Sequence, residues 1–124
     1  MAYEMVPESF EVAQNAGADL SAKLYHLVKV DTDEDIILAG DGQACLGVIR
    51  EANVENKPVT VQYGGIAKVI AGGSFNAGVL VAADTNGQAV LATTGEYAVG
   101  MALQAAGAAN EIVSVRLGPY GRVA

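Results

Sequence analysis

Few side chains in this sequence have the chemistry for catalysis. The chain has one histidine, His26, and one cysteine, Cys45. A lone histidine leaves no second base for a Ser-His-Asp set and no partner for a His-rich metal site. A catalytic thiol needs a neighbouring base or a helix N-terminus, which the residues around Cys45 do not supply. Both residues are therefore predicted to be packing residues, and we assign no catalytic and no cofactor-binding residue.

An acidic run, Asp31-x-Asp33-x-Asp35, has the spacing that opens a calcium-binding loop. The complete loop needs Gly at its sixth place and a bidentate Glu at its twelfth. Ile36 and Gly42 occupy those positions. We therefore assign no metal ligand, and whether this turn binds an ion weakly is left open. The Gly-rich stretch 71–74 lacks the Lys and the helix of a phosphate loop.

The chain is an internal duplication. Sliding the sequence by 53 positions, which brings Asp31 onto Asp84, aligns identical residues along much of both halves. One extra residue in the second half then changes the offset to 54. A fixed internal period sets the architecture and is an internal control. Features that both halves share are expected to belong to the fold, and features that one half alone carries are candidates for function.

The repeated elements are short strands separated by turns. Val59 and Val61 alternate with polar residues, which is the pattern of a strand with one buried face. Asn86-Gly87 is a strong hairpin signal. Gly47 and Gly100 interrupt strands at equivalent places, which indicates a bulge or a close approach of two backbones. The prediction is a mainly β protein, a small barrel or sandwich of two duplicated halves, with the sheet ending at Gly118-Pro119.

Residues 1–17 have no aligned counterpart in the second half. Apolar side chains are scattered among acids here, and Pro7 and Gly17 oppose a helix. Two interpretations stay open: an extended arm that docks elsewhere, or a frayed terminus or edge strand folded on its own domain. The domain prediction is an arm over 1–17 and a single β domain over 18–124, with repeats at 18–65 and 71–118. The arm supplies the candidate contact residues Tyr3, Met5, Val6, Phe10 and Val12.

Composition excludes several functions for this 124-residue chain. Acids outnumber bases 14 to 7, and no basic cluster is present, which disfavours nucleic acid and anionic membranes as partners. Charged residues are 17% of the chain, below the roughly 25% of an average soluble domain. Part of the surface is therefore expected to be covered by a partner. No apolar run reaches the length of a membrane span, and the acidic start is unlike a signal peptide.

Five segments along the chain together carry a family likeness. In chain order they are NAGADLSA, IILAGDGQACLGVI, GGIAKVIAGGSFNAG, VLVAADTNGQAV and YAVGMALQAA. With these segments the sequence resembles, over nearly its whole length, the capsid decoration proteins of tailed phages, also called capsid cement proteins. The first half is also distantly similar to the trimeric head-decoration protein of lambda-like phages.

This resemblance implies a structural virion protein and not an enzyme. Such a protein is made in the host cytoplasm, binds the outside of the expanded head and cements neighbouring major capsid subunits. It also implies a homo-oligomer, with a trimer favoured over a dimer. The alternative is a small β-barrel module for a cell-surface glycan or peptide, although few aromatic residues are present for sugar stacking. An enzyme would need activity that depends on His26 or Cys45.

Overall fold

The structure is a computed structural model that describes residues 10–124 and, within them, every side chain except that of Pro119. Ten strands and no helix are present in this part of the chain. The strands are β1 (Glu11–Asn15), β2 (Leu27–Val30), β3 (Ile36–Leu38), β4 (Gly47–Glu51), β5 (Pro58–Gln62), β6 (Ile66–Ile70), β7 (Leu80–Ala83), β8 (Ala89–Leu91), β9 (Tyr97–Ala102) and β10 (Ile112–Arg122). The mainly β prediction is confirmed.

Each half of the chain forms one antiparallel five-stranded sheet. The first sheet has the order β1-β5-β4-β2-β3, and the second has the matching order β6-β10-β9-β7-β8. A parallel bridge between Ala16 and Ile36 joins the two edges of the first sheet, and a bridge between Ala71 and Ala89 does the same in the second. These bridges close the sheets into two small barrels, the first barrel and the second barrel.

Alternating apolar side chains fill the barrels. One buried cluster lies within the first barrel and includes Val28, Ile49 and Val61. A larger cluster fills the second barrel and extends to Leu27, Ala39 and Val48 of the first barrel. Burying a Val or Leu side chain contributes about 1.5–3 kcal/mol. The shared cluster therefore joins the two halves through apolar contacts as well as through the chain itself.

The two aspartates that align in the repeat build the same turn. Asp84 Oδ1 accepts hydrogen bonds from the backbone amides of Asn86 and Gln88, at 2.8 and 2.9 Å. Asp31 Oδ1 accepts the equivalent bonds in the first half, at 2.9 and 3.0 Å. A short carboxylate that satisfies amides two and four residues onward stabilises a tight turn. The shared Asp therefore serves the fold, as the duplication predicts.

The repeat begins earlier than the sequence indicates. β1 pairs with β5 as β6 pairs with β10, and the carbonyls of Phe10 and Gly65 accept equivalent bonds, at 2.8 and 2.9 Å. Residues 11–15 are therefore an edge strand, and the predicted boundary at Gly17 is too late. The segment between β1 and β2 is two residues longer than the segment between β6 and β7. A fixed offset of 53 therefore did not align β1 with β6.

β10 also continues beyond the predicted end at Gly118-Pro119. Gly121 and Arg122 pair with Ala98 and Tyr97 of β9, after a register shift that follows Leu117. Proline has no N–H to donate and is tolerated in a strand at such an irregularity. The Gly-Pro pair marks the bulge in this strand and not its end.

The two strand glycines permit a close backbone approach. A Cβ at Gly47 would collide with the carbonyl oxygen of Gln62, and a Cβ at Gly100 would collide with that of Arg116. Both carbonyls belong to paired strands and cannot move without breaking the ladder. The sequence-based prediction of close approach is therefore confirmed at both glycines.

We expect Gly100→Ala to destabilise the protein by at least about 1–3 kcal/mol, because the added methyl group overpacks against β10. Urea unfolding followed by far-UV circular dichroism measures this loss. Gly73→Ala is the matched control, since a Cβ at Gly73 meets nothing within 4 Å. Equal stability of the two variants would contradict the proposed close approach.

Candidate functional site

His26 is a buried packing residue. Its side chain is 6% exposed, and the ring Nδ1 lies 3.1 Å from the main-chain carbonyl oxygen of Leu24. A carbonyl accepts a hydrogen bond, so Nδ1 is the protonated nitrogen in this geometry. This contact orients the ring just before β2 and gives it no nucleophile to activate. The placement agrees with the packing role predicted from the sequence.

Cys45 lines a cavity of about 340 Å³ between the barrels, together with Tyr63, Tyr97 and Leu117. Its Sγ lies 3.4 Å from the carbonyl oxygen of Gln43, to which the thiol donates a hydrogen bond. Burial raises the pKa of the thiol to about 11, and the nearby positive charge of Lys29 opposes this only in part. The thiol is therefore protonated at neutral pH and is a poor nucleophile.

The acidic turn, residues 31–35, has a structural explanation. Asp31 is occupied by the turn amides described above, and the turn matches the turn 84–88 of the second half, in which Asp84 is the one acid. Within residues 10–124, no group of three or more His, Cys, Asp or Glu side chains is placed to hold a metal ion. That region likewise has no helix long and apolar enough to cross a membrane.

The predicted contact residues fall into two groups. Tyr3, Met5 and Val6 lie outside the described residues, and their role stays a prediction. Phe10 is half-buried and packs edge-on against Tyr63, with ring centroids 6.1 Å apart. Val12 is 8% exposed and belongs to the core of the first barrel, because β1 is part of the sheet. Its side chain is therefore occupied within its own domain.

The second barrel has partly exposed apolar residues where the first barrel has buried ones. Leu27 and Val48 are 0% and 1% exposed, whereas their counterparts Leu80 and Met101 are half-buried. We define the open face as the surface at this end of the second barrel formed by Leu80, Leu91, Met101 and Arg116. Leu80, Met101 and Arg116 are cross-strand neighbours. Leu91 on β8 is included as the counterpart of Leu38, which lies beside Gly87 in the first barrel. Sequence comparison did not identify it, because Leu27 and Leu80 are the same residue type and differ only in what covers them.

In the part of the chain that the structure describes, His26 and Cys45 are packing residues of two small barrels. Comparison with known families agrees with this description. A family model described as phage cement protein matches residues 10–117 and so covers both barrels. The chain belongs to the phage cement protein family. The resemblance to capsid decoration proteins is confirmed, and the chain is a capsid-associated structural protein of the phage virion.

A solved structure shares this fold. The N base of the head fiber gp8.5 of bacteriophage phi29 is similar with a TM-score of 0.72 and 18% sequence identity. The similarity covers 92% of this chain and 98% of that one. At this identity the comparison shows the fold alone, and it confirms the mainly β architecture of two halves. No curated protein matches the chain.

The buried thiol leads to a kinetic prediction. We expect iodoacetamide to alkylate Cys45 in the folded protein roughly two orders of magnitude more slowly at pH 8 than in the urea-unfolded chain, whose thiol pKa is about 8.5. The folded-state rate should keep rising through pH 10, because the thiolate fraction grows until the pH reaches the pKa of about 11. A rate that levels off near pH 9 would refute the raised pKa.

Proposed function

We propose that this protein binds the outer surface of the phage head and cements neighbouring major capsid subunits. The observation that carries the proposal is the match of the phage cement family to residues 10–117. The low charge content of the chain, at 17%, fits a surface that is covered in the assembled particle. The protein is made in the host cytoplasm and acts as a homo-oligomer, with a trimer favoured over a dimer.

Cementing follows from mass action. A protein that binds the assembled lattice, and not the separated subunits, stabilises the lattice in proportion to the logarithm of its concentration over the dissociation constant. An oligomer with several capsid contacts gains further affinity, because each bound contact raises the effective concentration of the next. Individually weak contacts are therefore sufficient to hold neighbouring subunits together.

Residues 1–9 are the segment that we propose contacts a neighbouring capsid subunit. They precede Phe10, whose ring lies against Gly64 and Tyr63 and whose carbonyl accepts a bond from the Tyr63 amide at 2.8 Å. Nine extended residues span about 30 Å. Tyr3, Met5 and Val6 supply apolar side chains for such a contact, in which an extended segment adds main-chain hydrogen bonds to a sheet edge of the partner.

Purified protein is expected to co-sediment with expanded heads prepared without it, and to saturate at a fixed copy number. The same heads should release DNA at a higher temperature once the protein is bound, because binding stabilises the assembled lattice. Free major capsid subunits serve as the control and should bind at least tenfold more weakly. Absence of saturable binding to expanded heads would overturn the proposed function.

Deleting residues 1–9 is expected to weaken head binding at least tenfold while leaving the melting temperature unchanged. The reason is that the deletion stops before β1, whose pairing with β5 the fold needs. A deletion through Gly17 would remove β1 and unfold the first barrel, so it is unsuitable as a test. If the shortened protein bound heads as tightly as the full chain does, residues 1–9 would not be part of the contact with the capsid.

A further inference from the structure

The two barrels contact each other head to tail. The Leu27 amide donates to the Gly87 carbonyl at 2.6 Å, so the turn 84–88 of the second barrel sits on β2 of the first. A two-fold arrangement would also place the turn of the first barrel on Leu80. Instead Glu34 is exposed and Leu80 is half-buried, whereas Gly87 and Leu27 are both buried. Each barrel therefore uses a different surface in this contact.

A head-to-tail contact leaves one copy of each surface unused. The first barrel retains the turn of residues 31–35, here called the free turn, and the second barrel retains the open face. The Glu34 carbonyl, which is the counterpart of the docked Gly87 carbonyl, accepts a bond from the side chain of Gln14, whose Nε2 lies at 2.8 Å. Leu91 on the open face is 49% exposed, whereas its counterpart Leu38 is covered by the Gly87 turn. Val30, beside the free turn, is 41% exposed, whereas its counterpart Ala83 is fully buried. Both unused surfaces thus present apolar side chains to solvent.

The free turn has the backbone geometry of the docked turn. Glu34 and Gly87 occupy equivalent positions with φ of 67° and 72°. In both turns an aspartate side chain holds the amides two and four residues onward. A residue other than glycine pays a conformational cost at positive φ, so the turn shape is retained against the preference of Glu34.

Charge differs between the two pairs of surfaces in a compensating way. Neutral Asn86 and Gly87 of the docked turn correspond to Asp33 and Glu34 of the free turn. In the second barrel, Arg116 stands where the first barrel has Gln62, and it pairs with Met101 of the open face. The free turn therefore carries acids that the docked turn lacks, and the open face carries a base, so the unused pair of surfaces is electrostatically complementary.

Two features limit how closely the unused contact repeats the internal one. A Cβ at Gly87 would meet the Leu27 carbonyl oxygen at 2.8 Å, so Glu34 cannot seat as deeply as Gly87 does. The second feature is the C-terminal end of the chain, where the Gly95 amide donates a hydrogen bond to the Val123 carbonyl at 2.9 Å. The counterpart of Gly95 in the first barrel, Gly42, instead donates its amide hydrogen bond to the second barrel. Arg122 lies there, with its Nε donating to the Gly95 carbonyl at 3.1 Å, and adds a second positive charge.

We propose that the open face binds the acidic turn of a second copy of this chain, so that the contact between the barrels recurs between subunits. Leu80, Leu91 and Met101 supply the apolar area, and Arg116 and Arg122 pair with the carboxylates of Asp33 and Glu34. Head-to-tail contacts of this kind generate closed rings when the rotation closes. The proposal concerns the free protein and does not depend on capsid binding.

Light scattering after size-exclusion chromatography tests this contact in the full chain. We expect concentration-dependent association that weakens from 50 mM to 500 mM salt, since exposed charges are screened within about 10 Å at 0.1 M. Leu91→Asp should weaken association at least tenfold. Leu103→Asp is the matched control, because Leu103 is a leucine of similar exposure, 44%, outside the open face. Equal association of both variants and the parent chain overturns the proposal.

Cysteine pairing identifies the occupant directly. In a Cys45→Ala background, whose alanine matches Ala98 of the repeat, Glu34→Cys and Leu91→Cys proteins are mixed and oxidised. We expect a disulfide-linked heterodimer from this mixture, because Gly87 and Leu38, their counterparts, are in contact. A mixture of Glu34→Cys with Leu103→Cys should give at least tenfold less, and equal yields contradict the assigned contact.

A capsid subunit is the competing occupant of the open face. If the parent chain stays monomeric at all concentrations, and Leu91→Asp alone loses binding to expanded heads, the open face belongs to the capsid and the self-contact is wrong. If the chain associates and cross-links as expected but does not bind heads, the self-contact holds and the proposed capsid function fails. Capsid binding and the self-contact therefore fail in different outcomes, although a monomeric chain also removes the homo-oligomer from the proposed function.

Discussion

The apolar cluster that crosses from one barrel to the other is the interaction on which the structure depends. A domain of about 60 residues buries too little surface to be more than marginally stable. Each barrel here is of that size, and many of its core residues are small. The side chains of Leu27, Ala39 and Val48 belong to the first barrel but pack into the core of the second. The two halves are therefore expected to unfold as a single cooperative unit.

Packing between the two barrels determines which positions tolerate a different side chain. Gly87 lies against the backbone of Leu27 and has no space for a side chain. Its counterpart Glu34 faces solvent and is free to carry charge. Duplication thus gave one turn a packing role and left the other available for a different one. The same separation holds for Leu27 and Leu80, which are identical in type and opposite in environment.

Local patterns predicted the strands and turns of the fold. The alternation at Val59 and Val61, the Asn86-Gly87 turn and the two strand glycines correspond to features of the structure. For β1 the sequence left an edge strand as one of two open interpretations, because a strand with one buried residue, Val12, has little apolar alternation. The continuation of β10 was missed because a Gly-Pro pair usually ends a strand. In both cases a tertiary pairing overrides a local signal.

The packing roles of His26 and Cys45 were predictable from the sequence, whereas the open face was not. Exposure of Leu80 and Leu91 depends on how the two barrels dock, and that docking is a long-range property of the chain. Family resemblance supplied the function, and the duplication supplied the comparison that locates an uncovered surface. Neither source alone assigns a partner to that surface.

The pairing of β1 has a mechanical consequence for any force applied at the N-terminus. The N-terminal segment joins β1, which is bonded to β5 over a register of five antiparallel pairs. A pull along the axis of β1 loads these hydrogen bonds together, in shear, instead of opening them one at a time. Tension that reaches the segment is thus shared across the first barrel, so the attachment resists sudden force better than a strand peeled from its end.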